Sequence, residues 1–124
     1  MVLQEPYSLY PEKPVRFSLV NCDTRKYCIT KLQRQELKRL YQELGYFEQI
    51  NYKTFFSLPY KKGFFPEKKE TENYNFLKSL FSMFDKFGHI RVNGTGMPTR
   101  VFLAVDSDLL YILLIDRRGD INHK

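Results

Sequence analysis

The chain has no tryptophan, only two cysteines and two histidines, and no long apolar run. Its longest uninterrupted apolar stretch covers residues 109–115, far fewer than the roughly 20 residues that a membrane span requires. The N-terminus has no basic start followed by an apolar stretch, so no secretory signal is predicted. These absences argue against membrane and secreted proteins, and we expect a cytoplasmic location without membrane contact.

The scarcity of cysteine and histidine also limits the chemistry of the chain. Cys22 and Cys28 are too few for a disulfide framework, and no signal indicates an oxidising compartment. A metal site would need further ligands, and the two histidines are far from the cysteines in sequence. Gly94 and Gly96 are weak evidence for a phosphate loop, since strands rather than a helix are predicted to follow. We expect two reduced structural thiols, no metal and no cofactor.

What the chain does contain is positive charge, a net +6 that is unevenly placed. Residues 13–39 hold eight basic and two acidic side chains, and their difference equals the entire excess. Clustered positive charge attracts polyanions and steers their approach, although it is often only the solvated face of a helix. RNA or another polyanion is therefore one candidate partner, and an acidic protein is the competitor. The basic residues on the first predicted helix are Lys31, Arg34, Lys38 and Arg39.

Composition divides the chain into an arm and one domain. Three prolines oppose both helix and central strand in residues 1–14, which we predict to be an extended arm. Residues 15–124 are predicted to form a single domain. Residues 46–69 interleave aromatic rings with basic side chains, including Lys61 and Lys62. This pattern can bind single-stranded nucleic acid, but inward-facing rings with solvated lysines are the interpretation we favour.

Two helices are predicted between the arm and the last strands. Thr30 and Gln33 match a capping box, and leucines recur at helical spacing, so a first helix is predicted over residues 31–44 with Gly45 as its stop. Thr71 is a typical N-cap for a second, phenylalanine-rich helix that ends at Gly88. The broad apolar arc of this helix predicts burial on more than one side.

Strand patterns complete an α+β architecture. Residues 15–20 and 89–93 suit strands, and the apolar runs 101–105 and 109–115 form a hairpin across a polar turn. The order strand–helix–helix–three strands predicts a small antiparallel sheet with two helices packed on one face. Both hairpin strands are apolar at successive positions, so both faces of the sheet need cover. The aromatic segment, a second subunit in a homodimer, or a partner are the candidates for covering the other face.

The strand region and the C-terminal tail carry a set of residues suited to phosphate chemistry. They are His89, Arg91, Arg100, Arg117, Arg118, His123 and Lys124. If the last three strands run antiparallel, the first two arginines and the tail converge near one end of the sheet. Metal-free RNA cleavage needs a base, an acid and cations beside the phosphate. Histidine suits proton transfer near neutral pH, and arginine offers a fork of donors for phosphate.

This element order, with Arg100 opening the penultimate strand and arginines after the last one, is similar to the RelE-like ribonuclease toxins, mainly over residues 71–124. The resemblance implies that Arg100 and either Arg117 or Arg118 clamp the RNA phosphate. It also implies that His123 or His89 transfers the proton, and that an acidic antitoxin binds the protein. Surface ion pairs and a mobile terminus are the simpler interpretations of the residues after the last strand.

Three hypotheses for function follow from the sequence. The first is a small RNA-directed protein, expected to be a metal-independent endoribonuclease of the toxin type. The second is a non-enzymatic protein-binding module of the immunity or inhibitor type. The third is a basic accessory protein that binds nucleic acid without catalysis.

Overall fold

The two final apolar runs form the central hairpin of a five-stranded sheet in the computed structural model, which describes residues 10–59, 61–92, 99–117, 119 and 121. The strands are β1 (Phe17–Ser18), β2 (Phe65–Glu67), β3 (Phe87–Val92), β4 (Thr99–Asp106) and β5 (Leu109–Asp116). The helices are α1 (Arg34–Phe47), α2 (Tyr52–Ser57) and α3 (Glu72–Leu80), with a 3₁₀ turn at Ile29–Lys31. Among these described residues no helix is long and apolar enough to cross a membrane. The predicted α+β class is confirmed.

The sheet has the strand order β1-β5-β4-β3-β2. All neighbouring strands are antiparallel except β1, which runs parallel to β5. The β4–β5 turn is tight, and Ser107 adopts a left-handed conformation there with a φ of 58°. An irregularity between Phe102 and Leu103 shifts the β4–β5 register, so Leu113 and Leu114 both enter the same core cluster.

Alternate side chains of the central strands build two separate cores. One face, which we call the α1 face, buries Ile90, Val92, Val101, Leu103, Val105, Leu110, Ile112 and Ile115 with Leu40, Phe47, Tyr52 and Phe55. The opposite face, the α3 face, buries Phe87, Phe102, Ala104, Leu113 and Leu114 with Tyr74 and Leu77. The two helices on the α1 face are thus α1 and α2, whereas the second helix predicted from the sequence, α3, covers the other face. Both faces needed cover because the hairpin is apolar on both.

The first helix begins later than the sequence pattern predicted. Its N-cap is Gln33, whose backbone N–H donates to the Glu36 carboxylate at 2.7 Å. The Thr30 hydroxyl lies instead 3.1 Å from the Cys28 sulfur, inside the preceding 3₁₀ turn. Lys31 therefore belongs to that turn and lies outside α1. The helix thus begins with a capping box, as predicted, but this box lies one turn later in the chain.

Neither glycine that was predicted to stop a helix does so. Gly45 lies within α1, which continues to Phe47 because that ring completes the last turn as a buried core residue. Gly88 lies within β3, well beyond the end of α3. A Cβ at Gly88 would stand 2.1 Å from the Phe64 ring. Glycine is needed there for close packing of a ring on the strand rather than for a helix cap.

The aromatic segment packs inward, as the favoured interpretation predicted. Phe55 and Phe64 are buried in the core of the α1 face. Tyr52 is also buried, and its hydroxyl accepts from the Arg16 backbone N–H at 3.1 Å and donates to the Asp108 carbonyl at 2.5 Å. One phenol therefore joins α2, the start of β1 and the hairpin turn.

The described part of the predicted arm is attached to the domain. Pro14 forms an isolated antiparallel bridge with Asn51, and the Val15 N–H donates to the Ile50 carbonyl at 2.9 Å. Val15 itself is fully buried in the core. Residues 1–9 of that arm lie outside the described residues.

Candidate anion-binding site

Two arginines and an aspartate form a row across one end of the sheet. Arg91 of β3 is the direct cross-strand partner of Arg100 of β4, which in turn is opposite Asp116 of β5. Their shared register places all three side chains on the α3 face, since Ile90 and Val101 alternate to the other core. Cβ atoms of such directly opposed residues are about 4.5–5.5 Å apart. Two guanidinium groups are thus neighbours on one surface.

Each arginine of the pair has a buried donor without a partner within the described part of the chain. No hydrogen bond or ion pair joins either guanidinium to another described residue. In Arg91 the Nε atom, and in Arg100 one terminal nitrogen, are buried without a hydrogen-bond partner there. Like charges directly opposite on neighbouring strands are destabilising, and buried donors are normally satisfied. This combination is typical of a site that binds an anion, which would satisfy both donors and offset the repulsion.

The aspartate of the row is held from another direction. Asp116 is fully buried, and one of its carboxylate oxygens accepts the Ile121 backbone N–H at 3.0 Å. Ile121 also packs against the core of the α3 face. The chain therefore bends back beside the row immediately after β5, and the aspartate anchors that bend. Its single negative charge leaves the row with an excess of one positive charge.

A buried histidine lies two residues before Arg91 on the same strand face. His89 is 3 % exposed, and its ring packs between Phe65, with centroids 5.0 Å apart, and Phe102, at 5.5 Å. Its Nδ1 atom is 2.6 Å from a carboxylate oxygen of Glu67 on the edge strand β2. Both side chains of this pair are almost fully buried. The ring orientation is thus fixed by two aromatic contacts and one carboxylate.

The Glu67 contact uses one imidazole nitrogen, and the other is buried without a partner among the described residues. With Nδ1–H donating to the carboxylate, Nε2 carries the lone pair of a neutral imidazole and becomes a donor in the imidazolium. His89 Nε2 has no hydrogen-bond partner among the described residues. A carboxylate that orients an imidazole in this way is the arrangement that general bases use. Chemically, the group combines an anion holder with an oriented proton-transfer group.

The structure does not bring Arg117 to this group. The Arg117 Nε atom donates to both carboxylate oxygens of Glu36, at 2.7 and 2.8 Å, and both side chains are about one quarter exposed. Because Glu36 belongs to the first turn of α1, Arg117 lies on the α1 side of the sheet, away from Arg100. The expectation that these two arginines clamp one phosphate is corrected by this ion pair.

The other predicted binding residues are dispersed. Arg34, Lys38 and Arg39 are exposed on α1, and Lys31 is exposed in the 3₁₀ turn. All four belong to the α1 side, across the sheet from the arginine row. Lys61 and Lys62 are exposed beyond α2. Arg118, His123 and Lys124, like the glycine pair at positions 94 and 96, lie outside the described residues.

Glu67 is the member of this group that no sequence pattern predicted. It lies in the weakly patterned aromatic segment, in a three-residue strand that contains Pro66. A proline there is compatible only with an edge strand, and β2 is such a strand. The one available signal was a carboxylate that ends a run of basic and aromatic residues.

A metal centre is not indicated at this position. Over the described ranges, no group of three or more histidine, cysteine, aspartate or glutamate side chains could hold a metal ion.

Comparison with protein-family models, with curated proteins and with solved structures finds no match for this chain.

Proposed function

We propose that the protein is a metal-independent endoribonuclease in which Arg91 and Arg100 hold the scissile phosphate and His89 transfers the proton. One observation carries this proposal: three donor or acceptor atoms on one sheet face are buried without a partner among the described residues. A phosphodiester is an anion with several acceptor oxygens, so it can satisfy two neighbouring guanidinium groups at once. The net charge of +6 favours the approach of RNA.

Each residue has a separate role in the proposed reaction. The His89 Nε2 atom takes the proton from the ribose 2′-hydroxyl, and the resulting oxygen attacks phosphorus. The bond from phosphorus to the 5′-oxygen breaks, and this oxygen takes a proton from solvent, which gives a 2′,3′-cyclic phosphate and a 5′-hydroxyl end. Arg91 and Arg100 offset the charge that develops on the phosphate oxygens. Glu67 orients the imidazole.

RNA binding without cleavage is the second candidate function. The burial of the His89 Nε2 atom favours it, because a general base must come within hydrogen-bond reach of the hydroxyl proton. In this version the imidazole only supports the arginine row. The affinity for RNA then comes from phosphate contacts, and binding weakens steeply with salt.

Cleavage of an end-labelled single-stranded RNA in the presence of a chelator separates the two candidates. For the enzyme, we expect cyclic-phosphate products and a loss of about 10²–10⁴-fold in rate for His89→Gln with RNA affinity retained. Arg91→Gln and Arg100→Gln are expected to weaken both affinity and rate. The matched control is Lys69→Gln, which removes the same charge at an exposed position outside the row.

Three outcomes are distinguishable in that experiment. Cleavage that depends on His89 supports the enzyme. Intact RNA combined with salt-dependent binding that needs Arg91 and Arg100 supports the non-catalytic version. Binding and cleavage that are the same in Arg91→Gln as in Lys69→Gln would contradict both.

A further inference from the structure

A groove on the α3 face has an apolar wall and a basic wall. It encloses about 630 Å³ and lies between α3 and residues 21–27, with Leu114 of β5 at its base. On the α3 side it is lined by Phe76 and Leu80, which are one helical turn apart. On the opposite side it is lined by Arg25 and Lys26. This groove takes no part in the proposed RNA chemistry.

The basic wall is fixed to the sheet. The Asp23 N–H donates to the Leu113 carbonyl at 2.8 Å, and the Ile115 N–H donates to the Tyr27 carbonyl at 3.0 Å, so this segment runs along the edge of β5. The Asp23 carboxylate accepts the Tyr27 N–H at 2.7 Å and thereby closes the loop. The groove is therefore preformed, which reduces the entropy that a partner must lose on binding.

The apolar wall is exposed to an extent that a helix packed only against its own domain does not require. α3 buries Tyr74 and Leu77 against the sheet. Of the residues that line the groove, Phe76 remains 36 % exposed and Leu80 53 %. The apolar arc of this helix indicated burial on two sides, and the described chain covers only one. Contiguous exposed apolar side chains of this kind typically mark a binding surface.

The basic wall identifies the partner by charge. Neither Arg25 nor Lys26 forms an ion pair within the described residues, and the one carboxylate of the loop, Asp23, is already used by the Tyr27 amide. The Lys26 ammonium lies 5.3 Å from the centre of the Tyr27 ring. A partner that fills the groove therefore binds most tightly if it has carboxylates facing this wall and large apolar side chains facing α3.

We propose that this groove binds a short acidic segment of another protein, one that presents apolar side chains next to aspartate or glutamate. The exposed aliphatic side chain of Leu80, next to the Phe76 ring, favours a peptide over a nucleic acid, because the apolar side chains of a peptide can cover both residues and a sugar–phosphate backbone cannot. The inference is independent of the RNA chemistry, because it uses none of the residues assigned to that reaction.

Selection of a random peptide library displayed on phage against the full chain tests the composition of the partner. We expect the recovered peptides to be enriched in aspartate or glutamate and in leucine, isoleucine or phenylalanine. Synthetic copies labelled with a fluorophore then give dissociation constants by polarisation. Recovery of basic or uncharged peptides would overturn the proposal. Single-stranded oligouridine that displaces the peptides, and that itself binds less tightly to the groove variants described below, would overturn it as well.

Two pairs of variants locate the binding surface. Arg25→Glu with Lys26→Glu is expected to weaken the acidic peptides by about tenfold or more, and Lys61→Glu with Lys62→Glu, the same charge change elsewhere, to weaken them much less. A peptide whose acidic residues are replaced by lysine should bind the protein with Arg25→Glu and Lys26→Glu more tightly than it binds the wild-type protein. Equal weakening by both charge variants would contradict a specific groove.

The apolar wall is tested in the same way. Leu80→Ser is expected to weaken the peptides by about tenfold, whereas Val20→Ser, at another exposed apolar position, should leave their affinity unchanged. Both positions are at least half exposed, so neither change is expected to unfold the domain, and circular dichroism checks this. Peptides that bind Leu80→Ser as tightly as the wild type would overturn the assignment.

Discussion

Replacing Arg91 with methionine should stabilise the fold while it impairs the site. Arg91 opposes Arg100 directly, and one of its nitrogens is buried without a partner among the described residues. Cross-strand pairs contribute about 0.2–1 kcal/mol, and an unsatisfied buried donor costs about 1–3 kcal/mol. Methionine keeps the apolar stem and removes both unfavourable terms. We expect the free energy of unfolding to rise by about 1 kcal/mol, which corresponds to about 4 °C in Tm.

Arg117→Met is the matched control for this prediction. It makes the same chemical change at an arginine whose Nε contacts both oxygens of Glu36 at 2.7 and 2.8 Å. Because this pair is about one quarter exposed, its loss should lower the free energy of unfolding by about 1 kcal/mol. The same substitution is thus expected to have opposite signs at the two positions.

Urea unfolding in chloride buffer, repeated with inorganic phosphate, checks both signs. A ligand at ten times its dissociation constant stabilises the native state by about 1.4 kcal/mol, so phosphate should raise the stability of the wild type. Arg91→Met should lose most of this response and Arg117→Met should keep it. If Arg91→Met is destabilised as much as Arg117→Met, the Arg91 guanidinium is already satisfied and the argument for an anion site fails.

Three further predictions concern the scaffold. Tyr52→Phe should lower the free energy of unfolding by about 1–3 kcal/mol in urea, because it leaves backbone groups of the β1 start and the hairpin turn without their partner; a change below 0.5 kcal/mol would show that the phenol is dispensable. Gly88→Ala should cost about 1–3 kcal/mol because its Cβ meets the Phe64 ring and the Phe65 carbonyl oxygen, and the part due to the ring should disappear in a Phe64→Leu background; an equal cost in both would contradict the clash with the ring. Burial raises the pKa of Cys22 to about 11, so at pH 9 about 1 % of it is thiolate, against half of an ordinary thiol with a pKa of 9.0. Iodoacetamide labelling followed by peptide mass spectrometry should therefore accelerate at Cys22 up to about pH 11, whereas a plateau near pH 9 would contradict that shift.

Local signals were sufficient for the fold class and for several element boundaries. The apolar runs 101–105 and 109–115 formed the predicted hairpin, because a short polar turn between two such runs leaves few alternatives. The Thr71 side chain accepts the Tyr74 N–H at 3.2 Å, as predicted for an N-cap, since that contact involves only neighbouring residues. Such features depend on interactions among a few consecutive residues, so they can be predicted from the local sequence.

Features that depend on distant packing could not be predicted. Gly45 looked like a helix stop, but the core gives Phe47 a buried position and the helix continues to it. Gly88 had the same appearance and instead makes room for the Phe64 ring, which is more than twenty positions away. Glycine permits both a cap and a close contact, and only the surrounding chain decides between them.

The candidate site was predictable only where it depends on the pairing of adjacent strands, and not where it depends on distant parts of the chain. Antiparallel pairing of adjacent strands suggested that Arg91 and Arg100 converge, and the register brings them directly opposite. The partner of His89 required knowledge of the short edge strand that carries Glu67. The ion pair that removes Arg117 from the group joins it to Glu36, 81 positions earlier in the chain, and no local pattern relates residues so far apart.

The parallel pairing of β1 with β5 sets the order in which the domain can be completed. Phe17 is the partner of Leu110, so the first strand has no neighbour in the sheet until the last one has been synthesised. Such contacts between distant positions slow folding because a long loop must close before they form. We expect a growing chain on the ribosome to leave β1 without its partner strand until β5 has emerged. Chaperone occupancy during translation should fall only after that point.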